Sequence, residues 1–132
     1  LLGSWSVQRV TWTRLLVRHA FITPSVMLKR DIQLRFVEGL RHMEDHRLWL
    51  EIVGAGMLTV RLHIELAAVY KPVYGASGLS ADMWSMEKAE LANYRHFHNK
   101  EKISRTTMHI LQCYSLAKFA RRLVIARVLS RF

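Results

Sequence analysis

The chain has 132 residues, of which 51% are hydrophobic, and it carries a formal net charge of +10 at pH 7. This length gives room for one domain, or for one small bundle with an extension, and the apolar content excludes a disordered chain. Six glycines and two prolines are too few for a β-sandwich or barrel, while the single cysteine, Cys113, excludes an internal disulfide framework and a cysteine-rich zinc site.

The first part of the chain predicts two helices. Ser4 or Ser6 can cap a first helix that runs to about Phe21, and Pro24 ends it because proline disfavours helical angles in the residue before it. A second helix is predicted over residues 25–42 from an apolar row at helical spacing. That row consists of Leu28, Ile32, Phe36, Leu40 and Met43.

The third predicted helix is the most apolar. Asp45 is a credible N-cap, and two adjacent apolar rows at helical spacing continue from there to Tyr70. So broad an apolar face is typical of the middle of a bundle, with helices on two sides. Gly54 and Gly56 lie where the rows adjoin, and they indicate close backbone approach by a neighbouring helix or by a ligand.

Residues 71–79 predict the one clear loop, which separates a core at residues 1–70 from an extension at residues 80–132. Helical periodicity occurs on both sides of this loop, whereas the alternation typical of strands occurs on neither. The predicted fold class is therefore all-α, with three helices in the core and two in a basic C-terminal extension.

The two helices of the extension follow directly after the loop. Ser80 or Asp82 opens a fourth helix that continues through Tyr94 and fades over residues 96–99, and a fifth is predicted over residues 103–129. The fifth helix combines apolar rows with a polar face of Lys118, Arg121 and Arg122. One of its apolar rows consists of Ile110, Cys113, Ala117, Ala120 and Val124.

The basic residues concentrate at the two ends of the chain. Residues 1–30 carry +5 and residues 102–132 carry +7, with no acid in either, whereas residues 31–101 carry −2. Cationic ends on a near-neutral middle indicate an acidic partner. Composition alone leaves open whether that partner is an acidic protein, RNA or anionic lipid.

No transmembrane span is expected. The most apolar window lies at residues 48–70, but only nine residues separate Glu51 from Arg61, whereas a bilayer-spanning helix needs about 20. The acid-free, arginine-bearing start is similar to a transit peptide, although its tryptophans and apolar rows are typical of folded protein. Because the first residue is not methionine, we expect processing or truncation at this end.

Candidate catalytic groups are few. His42 and His46 are four residues apart, as in zinc-binding helices, but Glu44 lies two residues after the first histidine rather than one, and no third ligand is evident. Phosphate-binding glycine loops, nucleophile elbows and Cys–His pairs are absent from the sequence. We therefore predict neither catalysis nor a metal site.

Arg14 and Arg18 are the first candidates for partner binding. They are four residues apart, so on a helix they stack on one face, and the apolar residues around them exceed what a solvated helix needs. A helix of this kind suits docking on an acidic partner surface, and the alternative is a helix whose arginines merely face water.

Arg14 and Arg18 also belong to a longer sequence pattern that extends over several later positions. Trp12-Thr13-Arg14 is followed by Val17-Arg18, and later marks are Arg30-Asp31, Phe36, Asp45 and Gly54 or Gly56. The pattern resembles the LYR-motif family of small mitochondrial accessory proteins. That family has a Leu-Tyr-Arg triplet, a following Leu-Arg pair, then a phenylalanine and an aspartate that starts a glycine-containing third helix. The resemblance covers about residues 9–70, and two of the three triplet residues differ.

The resemblance implies an antiparallel three-helix bundle that binds mitochondrial acyl carrier protein. The acidic carrier would meet the arginines of the first helix, and its acyl-phosphopantetheine would enter between the helices; the chain has no cofactor of its own. Gly54 and Gly56 would mark an acyl-chain channel or a packing contact. The partner-binding residues that follow are Trp12, Arg14, Leu16, Arg18, Arg30 and Phe36.

We therefore expect a non-catalytic accessory subunit of a large mitochondrial complex, on the matrix side of the inner membrane. Respiratory NADH:ubiquinone oxidoreductase, complex I of the electron transport chain, is the first candidate because LYR-motif proteins serve among its subunits. The alternative is a basic mitoribosome-associated subunit whose C-terminal helix contacts rRNA. An enzyme that uses the histidine pair is a third hypothesis.

Overall fold

The computed structural model describes residues 6–64 and 82–129. The chain divides into two compact units, Leu1–Val73 and Tyr74–Phe132. The loop predicted over residues 71–79 lies outside the described residues. The described part is mostly helical, as predicted, but it also contains a small two-stranded sheet, so the expectation of no strands is wrong.

The first unit combines this sheet with two short helices. Its elements are β1 (Val7–Arg9), α1 (Trp12–Val17), a 3-10 turn (Thr23–Ser25), α2 (Glu44–Gly54) and β2 (Val60–Leu62). The two strands are antiparallel, with Gln8 opposite Arg61. The Val10 amide donates to the Thr59 carbonyl at 2.9 Å and so extends the pairing by one bond.

The first helix is shorter than predicted at both ends. Residues 7–9 pair with β2, and Arg18 has an extended backbone (φ −145°, ψ 132°) that ends α1 after Val17. A six-residue helix is not stable alone, because nucleation is unfavourable and few hydrogen bonds follow it. Tertiary packing therefore decides the length of α1, and local sequence does not.

The prediction of a second helix over residues 25–42 is wrong. Only the 3-10 turn Thr23–Ser25 is helical in that region, and Gly39 has a left-handed backbone (φ +82°). Phe21 and Phe36 instead pack edge-on against Trp49, with ring centroids 6.3 and 6.2 Å away. These aromatic contacts replace a continuous helical row, so residues 6–64 contain two α-helices where three were predicted.

The third predicted helix ends much earlier than Tyr70. The Gly56 amide donates to the Val53 carbonyl at 3.0 Å, and the Met57 amide donates to the Ile52 carbonyl at 3.3 Å. With Gly56 in the left-handed region (φ +82°), these bonds form a Schellman motif, which satisfies the last carbonyls of a helix and stops it. The chain then enters β2, and residues 65–70 lie outside the described part.

The core of the first unit lies between α1 and α2. Leu15 and Leu16 of α1 are buried, as is one face of α2. This arrangement brings the start of α1 against the end of α2. The other buried apolar side chains of the unit are Val10, Met43, Leu48, Trp49, Leu50 and Ile52.

The second unit is a helical hairpin of α3 (Met83–Asn99) and α4 (Arg105–Leu129), as predicted for the fourth and fifth helices. The Asp82 side chain caps α3 by accepting from the Ser85 amide at 2.9 Å, and the Ser104 hydroxyl accepts from the Thr107 amide at 3.1 Å at the start of α4. Within the two described ranges, no helix is both long and apolar enough to cross a membrane.

Candidate partner-binding surfaces

Trp12 is held inside the first unit. Its indole N–H donates to the Leu50 carbonyl at 3.0 Å, and its ring lies over the backbone of Gly54. The side chain is half-buried and joins the start of α1 to α2. Its contacts are therefore those of an intramolecular anchor, which differs from the partner contact predicted for this residue.

Arg14 and Arg18 do not share a helix. Arg14 lies in the last turn of α1 and is half-buried, whereas Arg18 is exposed and follows the helix in an extended conformation. The Arg18 amide donates to the Arg14 carbonyl at 3.0 Å, which closes α1. The predicted stacking of the two guanidinium groups on one helical face is wrong, although both residues reach the surface of the same unit.

The other three predicted contact residues have different environments. Leu16 is buried in the core of the first unit, so it offers no surface to a partner. Arg30 is exposed in a turn, and Phe36 keeps 49% of its surface exposed beside Trp49. Arg30 and Phe36 are therefore accessible, whereas Leu16 is a core residue. Its place in the apolar run Leu15-Leu16-Val17 could have identified it as one.

Gly54, the last residue of α2, and Gly56, two residues beyond it, have different surroundings. A Cβ atom on Gly54 would lie 2.9 Å from the Trp12 indole nitrogen, so the indole occupies the space beside this glycine. No atom lies within 4 Å of a Cβ atom built on Gly56, which has the left-handed backbone of the Schellman motif. Gly54 is therefore a packing glycine, which agrees with the packing alternative of the prediction, and Gly56 is a helix-ending one.

The histidine pair does not form a helical metal site. His42 precedes α2, and Met43 between them has a left-handed backbone (φ 58°), so His42 and His46 do not share a helix face. The His46 ring stacks instead on His19 at 4.0 Å between centroids. Within residues 6–64 and 82–129, no group of three or more potential ligand side chains could hold a metal ion.

The second unit contains buried ion pairs that the sequence did not predict. Arg122 Nη2 lies 3.1 Å from Glu87 Oε2, and Lys118 Nζ lies 3.2 Å from Glu90 Oε1. Glu87 is fully buried and Glu90 is nearly so. The spacing of these four residues places α3 and α4 antiparallel. The carboxylates lie on the buried face of α3, which only a pairing with α4 reveals.

Tyr94 belongs to the same network. Its hydroxyl donates to Glu90 Oε1 at 2.8 Å, and its side chain is almost completely buried. Burial raises the pKa of the Tyr94 phenol well above its ordinary value, and the nearby Glu90 carboxylate raises it further. The phenol therefore stays protonated and serves as a donor to Glu90.

These ion pairs fix the orientation of α4 within the hairpin. Lys118 and Arg122 of the predicted polar face bond to carboxylates of α3. An apolar row faces away from them, and we call it the outer stripe. The outer stripe consists of Ile110, Cys113, Ala117, Ala120 and Val124, all of them exposed.

The surface at the start of the outer stripe is a shallow, open depression rather than an enclosed cavity. It is lined by Arg105, Thr106, His109, Ile110 and Cys113. Such a surface suits contact with another macromolecule better than the burial of a small substrate.

No protein-family model, no curated protein and no solved structure matches the chain.

Proposed function

We propose that this protein is a non-catalytic adaptor subunit of a large mitochondrial complex on the matrix side of the inner membrane. Respiratory NADH:ubiquinone oxidoreductase is the first candidate assembly, and acyl carrier protein is the proposed partner of the first unit. Both rest on the resemblance of residues 9–70 to the LYR-motif family. Residues 6–64 contain two short helices and a sheet rather than the three helices that the resemblance implies, so the structural support for the proposal comes from the surface of the first unit.

The observation that carries the proposal is the mixture of apolar and cationic side chains along the irregular segment between α1 and α2. Large apolar side chains remain exposed here, including Met27 at 92%. Such residues are typical of surfaces that a partner covers. The other exposed apolar residues of the segment are Ile22, Leu28, Phe36 and Val37.

The charge of this segment supports an acidic partner. Residues 18–43, between the two helices, contain five basic side chains and two acids, Asp31 and Glu38. Arg18 and Arg30 are exposed, and Arg14 is half-buried. A carrier with an acidic surface would approach such a segment favourably, and charge pairs would fix its orientation.

The test is binding of purified acyl carrier protein to the full chain and to the double variant Arg14→Glu/Arg18→Glu. Each reversal converts attraction into repulsion, and one close charge pair is worth about 1.5 kcal/mol or more, or roughly tenfold in affinity. The matched control is Lys102→Glu/Arg105→Glu, which changes the net charge equally at exposed positions of the second unit. The first variant should lose binding and the control should keep it.

The acyl chain of the carrier is a separate part of the proposal. If it enters the adaptor, an acylated carrier should bind more tightly than the carrier whose phosphopantetheine is free. Equal affinities of the two carriers would show that the acyl chain does not contribute to binding and that the interface consists of surface contacts only. Equal binding by both double variants and the wild-type chain would contradict the proposed docking of the carrier on the first unit.

The second candidate is a mitoribosome-associated subunit that contacts rRNA. It is favoured by α4, which contains five basic residues and no acid over 25 residues. Affinity for RNA should fall steeply with salt, because each phosphate contact releases counterions. RNA binding that is lost in Lys102→Glu/Arg105→Glu and kept in Arg14→Glu/Arg18→Glu would select this candidate over the adaptor.

A further inference from the structure

Helix α4 has a buried face and, on its opposite side, an exposed apolar face. One face, which includes Met108, Leu111 and Ser115, is buried. At 3.6 residues per turn, the outer stripe lies about 180° from it. Ile110 and Val124 mark the ends of this stripe and keep 63% and 61% of their surface exposed.

We propose that the outer stripe of α4 is a docking surface for an acidic amphipathic helix of a partner protein. This surface belongs to the second unit and includes neither Arg14 nor Arg18, so the proposal does not depend on the binding of acyl carrier protein. Its length supports a helical partner, because residues 110–124 span about 21 Å, or roughly four helical turns.

The charges of α4 indicate the sign of the partner. Lys118 and Arg122 pair with buried carboxylates of α3. Arg121 and Arg127 are exposed and lie on the two sides of the outer stripe. No acid occurs anywhere in α4. A partner that places glutamates or aspartates beside an apolar row would therefore complement both the stripe and its borders.

The size of the side chains favours a protein helix over a lipid surface. The middle of the outer stripe consists of Cys113, Ala117 and Ala120. Small residues allow the backbones of two helices to approach closely, so that larger side chains of the partner fit between Ile110 and Val124. Helices that lie in a membrane surface instead present bulky residues such as Leu, Phe and Trp.

A second copy of the chain is a poor occupant. A two-fold dimer through the outer stripes would place α4 of one copy against α4 of the other. Both helices have cationic borders and no acid, so two surfaces of the same sign would face each other, which is unfavourable in a charged interface.

The experiment uses the full chain and two synthetic helical peptides with the same leucine–alanine row, one flanked by glutamates and the other by lysines. Cys113 lies within the outer stripe and is the only cysteine of the chain, so its alkylation by iodoacetamide reports on occupancy. The glutamate peptide should bind and slow alkylation of Cys113. The lysine peptide should bind at least about tenfold more weakly.

Two variants with the same charge change provide the control. Ala120→Glu introduces an acid within the outer stripe, where it should weaken binding of the glutamate peptide at least about tenfold. Thr107→Glu introduces an acid at an exposed position of α4 outside the stripe, near a helix N-terminus where acids are tolerated. This control should bind like the wild-type chain, and circular dichroism should show equal helical content for both.

Three results would overturn the proposal. The first is equal binding of the two peptides, or binding that Ala120→Glu does not change. The second is slow alkylation of Cys113 on vesicles of phosphatidylcholine and phosphatidylserine without binding of the glutamate peptide, which would assign the stripe to a membrane. The third is a dimer in sedimentation velocity that protects Cys113 without any peptide, which would assign the stripe to a second copy.

Discussion

The indole nitrogen of Trp12 lies 2.9 Å from the place where a Cβ atom on Gly54 would stand, and 3.0 Å from the Leu50 carbonyl that accepts its hydrogen. The hydrogen bond fixes the ring, and the absence of a side chain at Gly54 leaves room for it. Together these two contacts attach the short helix α1 to the end of α2.

Gly54→Ala should therefore destabilise the chain although alanine favours helices over glycine by about 1 kcal/mol. The new methyl group would meet an indole that cannot move without losing its hydrogen bond, and overpacking of this kind costs about 1–3 kcal/mol. Chemical denaturation gives the free energy of unfolding. In the background Trp12→Phe, which lacks the indole nitrogen, the cost of Gly54→Ala should become much smaller; an equal cost in both backgrounds would contradict the contact.

Substitution of Gly56 should destabilise the chain because of the left-handed backbone at this position, not because of a clash with neighbouring atoms. Gly56→Ala forces a side chain into the left-handed region at an otherwise open position, which costs about 1–2 kcal/mol. Gly56→Asn should cost less, because asparagine tolerates this conformation better. Thermal unfolding of the two variants compares them directly, and equal losses would show that backbone conformation is not the cause.

Arg122→Met should destabilise the second unit by leaving the Glu87 carboxylate buried without its partner. We expect a loss of about 1–3 kcal/mol, at the low end of buried pairs because the Arg122 side chain is 30% exposed. The double variant Glu87→Met/Arg122→Met should recover most of this loss, since it removes both charges. Arg121→Met is the control at an exposed neighbour and should change stability little. Failure of the double variant to recover stability would contradict the ion-pair account.

Tyr94 should make the stability of the second unit sensitive to alkaline pH. Its pKa in the folded protein is raised above the ordinary value of 10.0, so the folded state favours the protonated phenol. The resulting stabilisation is complete below about pH 10 and decreases as the pH rises further, because the unfolded chain then releases the proton more readily. Tyr94→Phe should reduce this alkaline dependence. Unfolding curves between pH 8 and 11 measure it, and identical slopes for both proteins would contradict the assignment.

The two parts of the chain differ in how far sequence alone predicted them. The bounds of α3 and α4 follow from local signals, such as the Asp82 cap and apolar spacing, that agree with the packing of the hairpin. Gly56, the glycine of the Schellman motif, was also a local signal for the end of α2. The prediction placed the end of the helix later because the apolar rows continue past this glycine. Among the predicted site residues, Arg18, Arg30 and Phe36 are exposed, whereas Leu16 is buried and Trp12 bonds within the chain.

The sequence by itself determined that the chain is mostly helical, that its second unit contains two helices and that its ends are basic. Helical hydrogen bonds join residues four apart, so their signals are local and readable. Only the tertiary structure decided the pairing of β1 with β2, the loss of the helix over residues 25–42 and the direction in which α4 faces. Each depends on contacts between residues distant in the chain: Val7 with Leu62, Phe36 with Trp49, and Arg122 with Glu87. Periodicity shows that α4 carries apolar rows, but only its pairing with the acids of α3 decides which face is buried and which remains exposed.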